Sequence, residues 1–172
     1  VPANGESWFL ARAFAILRTR NSGRRFTSVL SCADPLQRRA ADGTVVMPGH
    51  VGTIYQALNG IYTGRTRARS LWLLPSGQVF SERAISKIRG QERGWRSAVD
   101  ELRVVGAGPV GVDPTAWLAE WLPRLCTRVR HPGNHRYVWA IDKRLARVIP
   151  RHLADRGVPT NLPRPKHVEI AA

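Results

Sequence analysis

Between residues 28 and 62 the chain reads SVLSCADPLQRRAADGTVVMPGHVGTIYQALNGIY, and this stretch restricts the fold more than any other. Val29 and Leu30 read as the end of a buried strand. Asp34-Pro35 ends it, because proline fixes its own φ and has no amide to donate. Gly49-His50-Val51-Gly52 then leads into 53–62, where Ile54, Ala57, Leu58 and Ile61 recur at helical spacing. A carboxylate at a strand's C-terminal end and an imidazole at a helix's start lie where open α/β sheets keep their chemistry. Asp34, His50 and Tyr55 are therefore the candidate catalytic residues. Each also has an ordinary structural role open to it: Asp34 as a turn cap, His50 as a solvated loop residue, Tyr55 as a half-buried core aromatic.

The flanking elements predict a mixed α/β (α+β) sheet with helices. Residues 8–18 read as a mostly buried helix, with Phe9, Ala13, Ile16 and Leu17 on one face and Leu10 and Phe14 beside them. Asn4 or Ser7 caps its start, and such a helix start is also a place to hold a phosphate or an acyl carbonyl. Residues 21–25 turn the chain into a strand over 26–31. Farther on, Pro75-Ser76-Gly77 between the apolar runs 71–74 and 78–80 predicts a hairpin. Ser81 is an N-cap for a helix over 82–89 with Ala84, Ile85 and Ile88 inward. Residues 104–112, rich in glycine, read as a flexible connector, and Gly106-x-Gly108 lacks the context of a dinucleotide fingerprint. Asp113-Pro114 opens a helix over 115–122 with Trp117, Leu118, Trp121 and Leu122 on its apolar face. A strand follows at 137–141. One domain over 1–158 and a flexible Pro/Arg-containing tail over 159–172 complete the expected organisation.

Charge narrows the partner. The 27 Lys and Arg against 12 Asp and Glu leave a formal +15, far from balance for a domain of this size. Such an excess points to a polyanion. All but three of the cations are arginines, whose planar fork suits phosphates and guanine edges. Arg65, Arg67 and Arg69 stand at alternate positions and, if extended, share a face. With Arg128, Arg130 and Arg136 they are the candidate DNA-binding residues, expected to form one phosphate-binding surface around the site. Arg83, Lys87, Arg89, Arg93 and Arg96 extend the basic surface, with Trp95 among them. A solvated basic loop is the plain alternative for each cluster.

No apolar run approaches the ~20 residues of a membrane span, and Cys32 and Cys126 are too few for a disulfide scaffold, so a reducing cytoplasm is the expected setting. His131 and His135 stand four apart, but Pro132-Gly133 breaks the helix that would align them, so no metal ligand is assigned. The chain has no phosphate-binding Walker loop, no G-x-S-x-G elbow and no zinc-deaminase pattern.

The runs SWFLARAF, SCADP, GHVGTIYQALNGIYTGR, LLPSGQVFSERAISKIR and RHPGNHRYVWAI, in that order, resemble the Mom family of phage DNA-modification proteins, over about 4–143. The resemblance implies a divergent N-acetyltransferase-like (GNAT) fold that converts adenine in double-stranded DNA to N6-carbamoylmethyl adenine and protects phage DNA from restriction in a bacterial host. It implies that Asp34 and Tyr55 are the family's active-site acid and tyrosine, that His50 belongs to the same motif, and that Asn4 and Ser7 mark the helix start used for donor binding. An acyl-CoA-type donor is the cofactor such a fold implies, and iron or another metal is left unassigned. Family members carry further sequence upstream, including a His-Tyr pair not found here, so part of the family's sheet is expected to lie outside this chain. A small-molecule or protein N-acyltransferase of the same fold and a non-catalytic DNA-binding module are the alternative functions.

Overall fold

The structure, a computed structural model, describes residues 5–19, 26–142 and 144–170. The described elements, in chain order, are α1 (Gly5–Thr19), β1 (Ser28–Ala33), β2 (Leu36–Arg39), β3 (Val45–Met47), α2 (Thr53–Ala57), β4 (Ile61–Arg65), β5 (Arg69–Leu73) and β6 (Val79–Phe80). Then come α3 (Glu82–Gly90), α4 (Trp95–Val104), α5 (Pro114–Leu125), β7 (Thr127–His131), β8 (His135–Ala140), α6 (Ile149–Asp155) and β9 (Glu169–Ile170). This is a mixed α+β fold, as the sequence predicts, with its strands shared among three three-stranded sheets. Within the chain two compact units are distinguished. One comprises Val1–Pro35, His50–Arg67 and Gly133–Val168, and the other Leu36–Gly49, Ala68–Pro132 and Glu169–Ala172. Among the described residues no helix is long and apolar enough to cross a membrane.

In the first unit β8 is the central strand, antiparallel to β1 on one side and to β4 on the other. Its sequence HRYVWA alternates, so His135, Tyr137 and Trp139 turn inward. Tyr137 and Trp139 form the core with Ala33 and Tyr62, and Phe14, Val29, Tyr55 and Leu58 pack against them. β1 is an edge strand rather than a buried one, and Leu30 is 62% exposed. Helix α1 also differs from expectation: no residue in it is fully buried, and Trp8 and Phe9 are 68% and 65% exposed. Its inner side is Leu10, Phe14 and Leu17, with the Phe14 ring 5.5 Å from that of Trp139. Apolar residues surround this helix, so periodicity alone does not select the inward face.

The helix expected over 53–62 is a single turn, α2. Asn59 adopts a left-handed φ of 56°, and a Cβ on Gly60 would sit 2.8 Å from both the Trp139 ring and the Tyr55 carbonyl. The Trp139 indole N–H donates to the Leu58 carbonyl at 3.0 Å. Tertiary contact thus overrides helical spacing, and Ile61 and Tyr62 pair instead with Val138 and Tyr137 in the sheet.

In the second unit the hairpin β5–β6 forms as predicted, and β7 adds to the other edge of β5. The Ser81 hydroxyl accepts from the Ala84 amide at 3.0 Å, and Ala84, Ile85 and Ile88 face inward. Asp113 caps α5 through the amides of Thr115 at 2.8 Å and Ala116 at 3.1 Å. These helices and α4 enclose a core of Phe80, Ile88, Leu102 and Leu118. The 104–112 connector is held rather than loose, since the Trp117 indole N–H donates to the Gly108 carbonyl at 3.0 Å. Across the sheet, Leu71, Leu73 and Val129 pack with Leu36.

The expected tail is likewise docked. Glu169 and Ile170 pair in parallel with Leu36 and Gln37 in the second unit, and in the first unit the Pro165 carbonyl accepts from Gln56 Nε2 at 3.0 Å. Hydrogen bonds to its main chain, from a strand partner and from the Gln56 side chain, hold this segment.

Gly133 has a φ of 98°, and a Cβ there would collide with the Thr66 carbonyl. Gly111, by contrast, faces open space. Gly133→Ala should cost about 2 kcal/mol or more in urea denaturation, whereas Gly111→Ala should stay within about 0.5 kcal/mol of wild type.

Candidate functional site

The chemistry-bearing residues of the first unit meet because two short connections are tied together. The His50 amide donates to the Asp34 carbonyl at 2.7 Å, fastening the loop before α2 to the end of β1. Gly52 follows with a φ of 77°, and a Cβ on it would lie 2.7 Å from the Tyr137 ring and 2.8 Å from that of Tyr55. Glycine is therefore what lets these two aromatic side chains close around the backbone. The Tyr137 hydroxyl donates to the Val51 carbonyl at 2.6 Å and accepts from Gln56 Nε2 at 3.0 Å. Burial is the main force raising the Tyr137 pKa, so its phenol stays protonated and serves as a structural donor.

Tyr55 stands in an aromatic cluster, its ring 5.5 Å from both Tyr137 and Trp139 and edge-on to His50 at 5.9 Å. The half-buried Tyr55 and the exposed His50 both line a cavity of about 610 Å³. Gly5, Glu6, Phe9 and Leu10 of α1 form the rest of its lining with Ile54. The structure thus joins the start of α1 to two of the three catalytic candidates. Asp34 is half-buried at the end of β1 and lies outside that lining. Ser7 is half-buried on α1 and is not a lining residue either, whereas its neighbour Glu6 is. Asn4 lies outside the described residues.

The six arginines expected to form one surface fall into different settings. Arg65 ends β4 and Arg67 follows it in the first unit, while Arg69 opens β5 in the second, so no continuous strand aligns the three. Arg69 is opposite His131 in the β5–β7 pair, and Arg130 and Arg128 are opposite Ser70 and Trp72. Side chains alternate along a strand, so Arg69 projects from one face of that pair and Arg128 and Arg130 from the other. The Arg128 guanidinium lies 5.9 Å from the Trp72 ring centre. In the first unit Arg136 is half-buried and donates to the Thr63 carbonyl at 3.0 Å, a structural bond within the sheet.

His131 and His135 are both buried, His131 in the second unit and His135 in the first. His135 Nδ1 shares a hydrogen bond with the Tyr62 hydroxyl at 2.9 Å. Among the described residues no three His, Cys, Asp or Glu side chains gather as a metal ion would require. Charge is distributed unevenly: the first unit carries 15 Lys and Arg against 4 Asp and Glu, the second 12 against 8. The cavity therefore belongs to the more cationic unit.

Glu6 enters the site without having been singled out by the sequence, and Leu10 and Ile54 enter it from positions read there only as apolar helix residues. Glu6 left one signal, an acidic side chain in the first turn of a helix beside a proposed binding position. Of the two residues that brace Tyr55, Gln56 stands among the polar groups of the 28–62 stretch, and Tyr137 left only the inward alternation of β8. No protein-family model, curated protein or solved structure matches the chain.

The cysteines provide a test of the packing. Cys126 is buried, which pushes its thiol from the ordinary 9.0 up to about 11, whereas Cys32 is exposed. A thiol-specific reagent should label Cys32 alone in the native protein and both after denaturation. The contribution of neutral Cys126 to stability should be complete below pH 9 and decline as pH rises toward 11, and Cys126→Ala should remove that decline in urea titrations.

Proposed function

We propose that the chain is a DNA-modifying transferase of GNAT-like architecture that attaches a carbamoylmethyl group to N6 of adenine in duplex DNA, protecting phage DNA from restriction. The observation that carries this reading is the cavity of about 610 Å³ at which His50 and Tyr55 meet the first turns of α1. Its size suits a nucleobase together with a small donor fragment. The excess of cations in the same unit supports a polyanionic substrate.

The adenine amine is a weak nucleophile because its lone pair is delocalised into the ring. As the new N6–C bond forms, one N6 proton must leave, and the donor's departing group must be stabilised. His50, exposed at the cavity, takes the proton; Tyr55, held edge-on to it, protonates the departing group. Asp34 supports the arrangement through its main-chain carbonyl, which holds the His50 amide. Phe9 and Leu10 of α1 would lie against the donor, which must carry its departing group on the methylene carbon that becomes bonded to N6, since attack on a thioester carbonyl would give an N6-acyl amide instead. The target atom is inside the duplex stack, so the adenine must be extruded before transfer.

DNA from a host lacking its own adenine methyltransferases should resist endonucleases whose recognition sites contain adenine when the chain is expressed. Tyr55→Phe and His50→Gln should each restore cleavage, with transfer reduced by about 10²-fold or more. Asp34→Asn keeps the main-chain carbonyl that holds the His50 amide and should leave protection intact; lost protection would make its carboxylate the base in place of His50. Full protection in both the Tyr55 and His50 variants would remove the cavity from the mechanism.

A further inference from the structure

We infer that the basic run from Arg144 to Lys166 in the first unit is the surface that grips the phosphates of duplex DNA, an inference that rests on the cavity's reading as a DNA-modifying site. Arg144, Arg147, Arg151, Arg156, Arg164 and Lys166 are all exposed, and Asp155 is the one acidic residue between them. Leu145, Ile149 and Leu153 recur every four residues and are half-buried, fixing the inner side of the turn and helix α6. Arg147 and Arg151 are themselves four apart, so they project as neighbours.

The run is attached to the site. The Arg164 guanidinium reaches the Gln56 carbonyl at 3.4 Å, and the Pro165 carbonyl accepts from Gln56 Nε2 at 3.0 Å. Gln56 follows Tyr55, which lines the cavity, so a phosphate strand held along the run is led to the reacting groups.

These cations also differ from three arginines of the second unit that are held by carboxylates. In the second unit Arg83 is held by Glu92 at 2.6 Å, Arg124 by Glu120 at 2.7 Å and Arg103 by Asp100 at 3.5 Å. None of the six in the run makes an ion pair with a carboxylate among the described residues. An unpaired arginine meets a phosphate without first giving up a carboxylate, and each phosphate it neutralises releases condensed counterions.

The test is the salt dependence of duplex DNA binding by the whole chain, measured by fluorescence anisotropy. Replacing Arg144, Arg147 and Arg151 together by Gln should make the log–log slope shallower by roughly two to three units, at about 0.9 per lost contact, on every sequence alike. The triple Lys replacement should restore it, which guards against a folding artefact. Replacing Arg83, Arg103 and Arg124 by Gln removes the same formal charge and should leave the slope within about one unit of wild type. An unchanged slope in the first variant, or equal losses in the two Gln triples, would overturn the inference. So would tighter binding of the wild type to single-stranded RNA or to anionic phosphatidylserine vesicles than to duplex DNA at the same salt. A lost slope with no modified adenine in host DNA would leave the surface standing and remove the enzymatic reading; modification with an unchanged slope would do the reverse.

Discussion

The hydroxyl of Tyr137 is the tie on which the candidate site depends. The residue is fully buried at the centre of β8, and its hydroxyl spans from the Val51 carbonyl to the Gln56 amide. One side chain of the central strand thereby holds both the loop that presents His50 and the helical turn that presents Tyr55. A buried hydroxyl left without partners is costly, so this geometry is strongly preferred over a slipped one. Gln56 extends the tie to Pro165, bringing the last part of the chain onto the same turn. The five-residue helix α2 is too short to be stable alone, and its order comes from this network and the rings of Tyr55, Tyr137 and Trp139.

The two units use their arginines differently. In the second, Arg83, Arg103 and Arg124 are engaged by carboxylates, and Arg96, Arg124 and Arg128 rest over indole rings. Such contacts stiffen exposed side chains and cover apolar surface. In the first, the run that ends beside α2 carries cations with almost no acidic neighbours. A net charge spread evenly would speak only of solubility, whereas its concentration in the unit that holds the cavity is what the proposed polyanionic partner rests on.

Elements with local chemical signatures were legible in the sequence. Ser81 and Asp113 cap the helices they precede, and the Pro75-Ser76-Gly77 turn sits between paired strands. The hairpin β2–β3 had such a signature in Asp42-Gly43, where Asp42 Oδ1 accepts from the Thr44 amide at 2.9 Å, but it lay unread behind Asp34-Pro35. Helix α4 was equally readable from Ala98, Val99 and Leu102, which form its buried face. The end of α2 was not legible, because the Trp139 indole that stops it lies 81 residues away in the chain. The inward face of α1 was hidden for a related reason, since only contact with the sheet distinguishes Phe14 from Phe9. Of the site, the sequence brought forward His50 and Tyr55; Asp34 stands outside the cavity lining, joined to the site by a main-chain bond to His50 that no side-chain pattern records.

The central claim is that this cavity transfers a carbamoylmethyl group to adenine in DNA. Its most direct measurement is the nucleoside mass spectrum of DNA digested from a bacterial host expressing the chain. The account predicts an additional adenosine species, heavier by one carbamoylmethyl group, that fragments to a modified base and an unmodified deoxyribose. An adenosine pool identical to that of the host without the chain, at comparable levels of soluble protein, would contradict it.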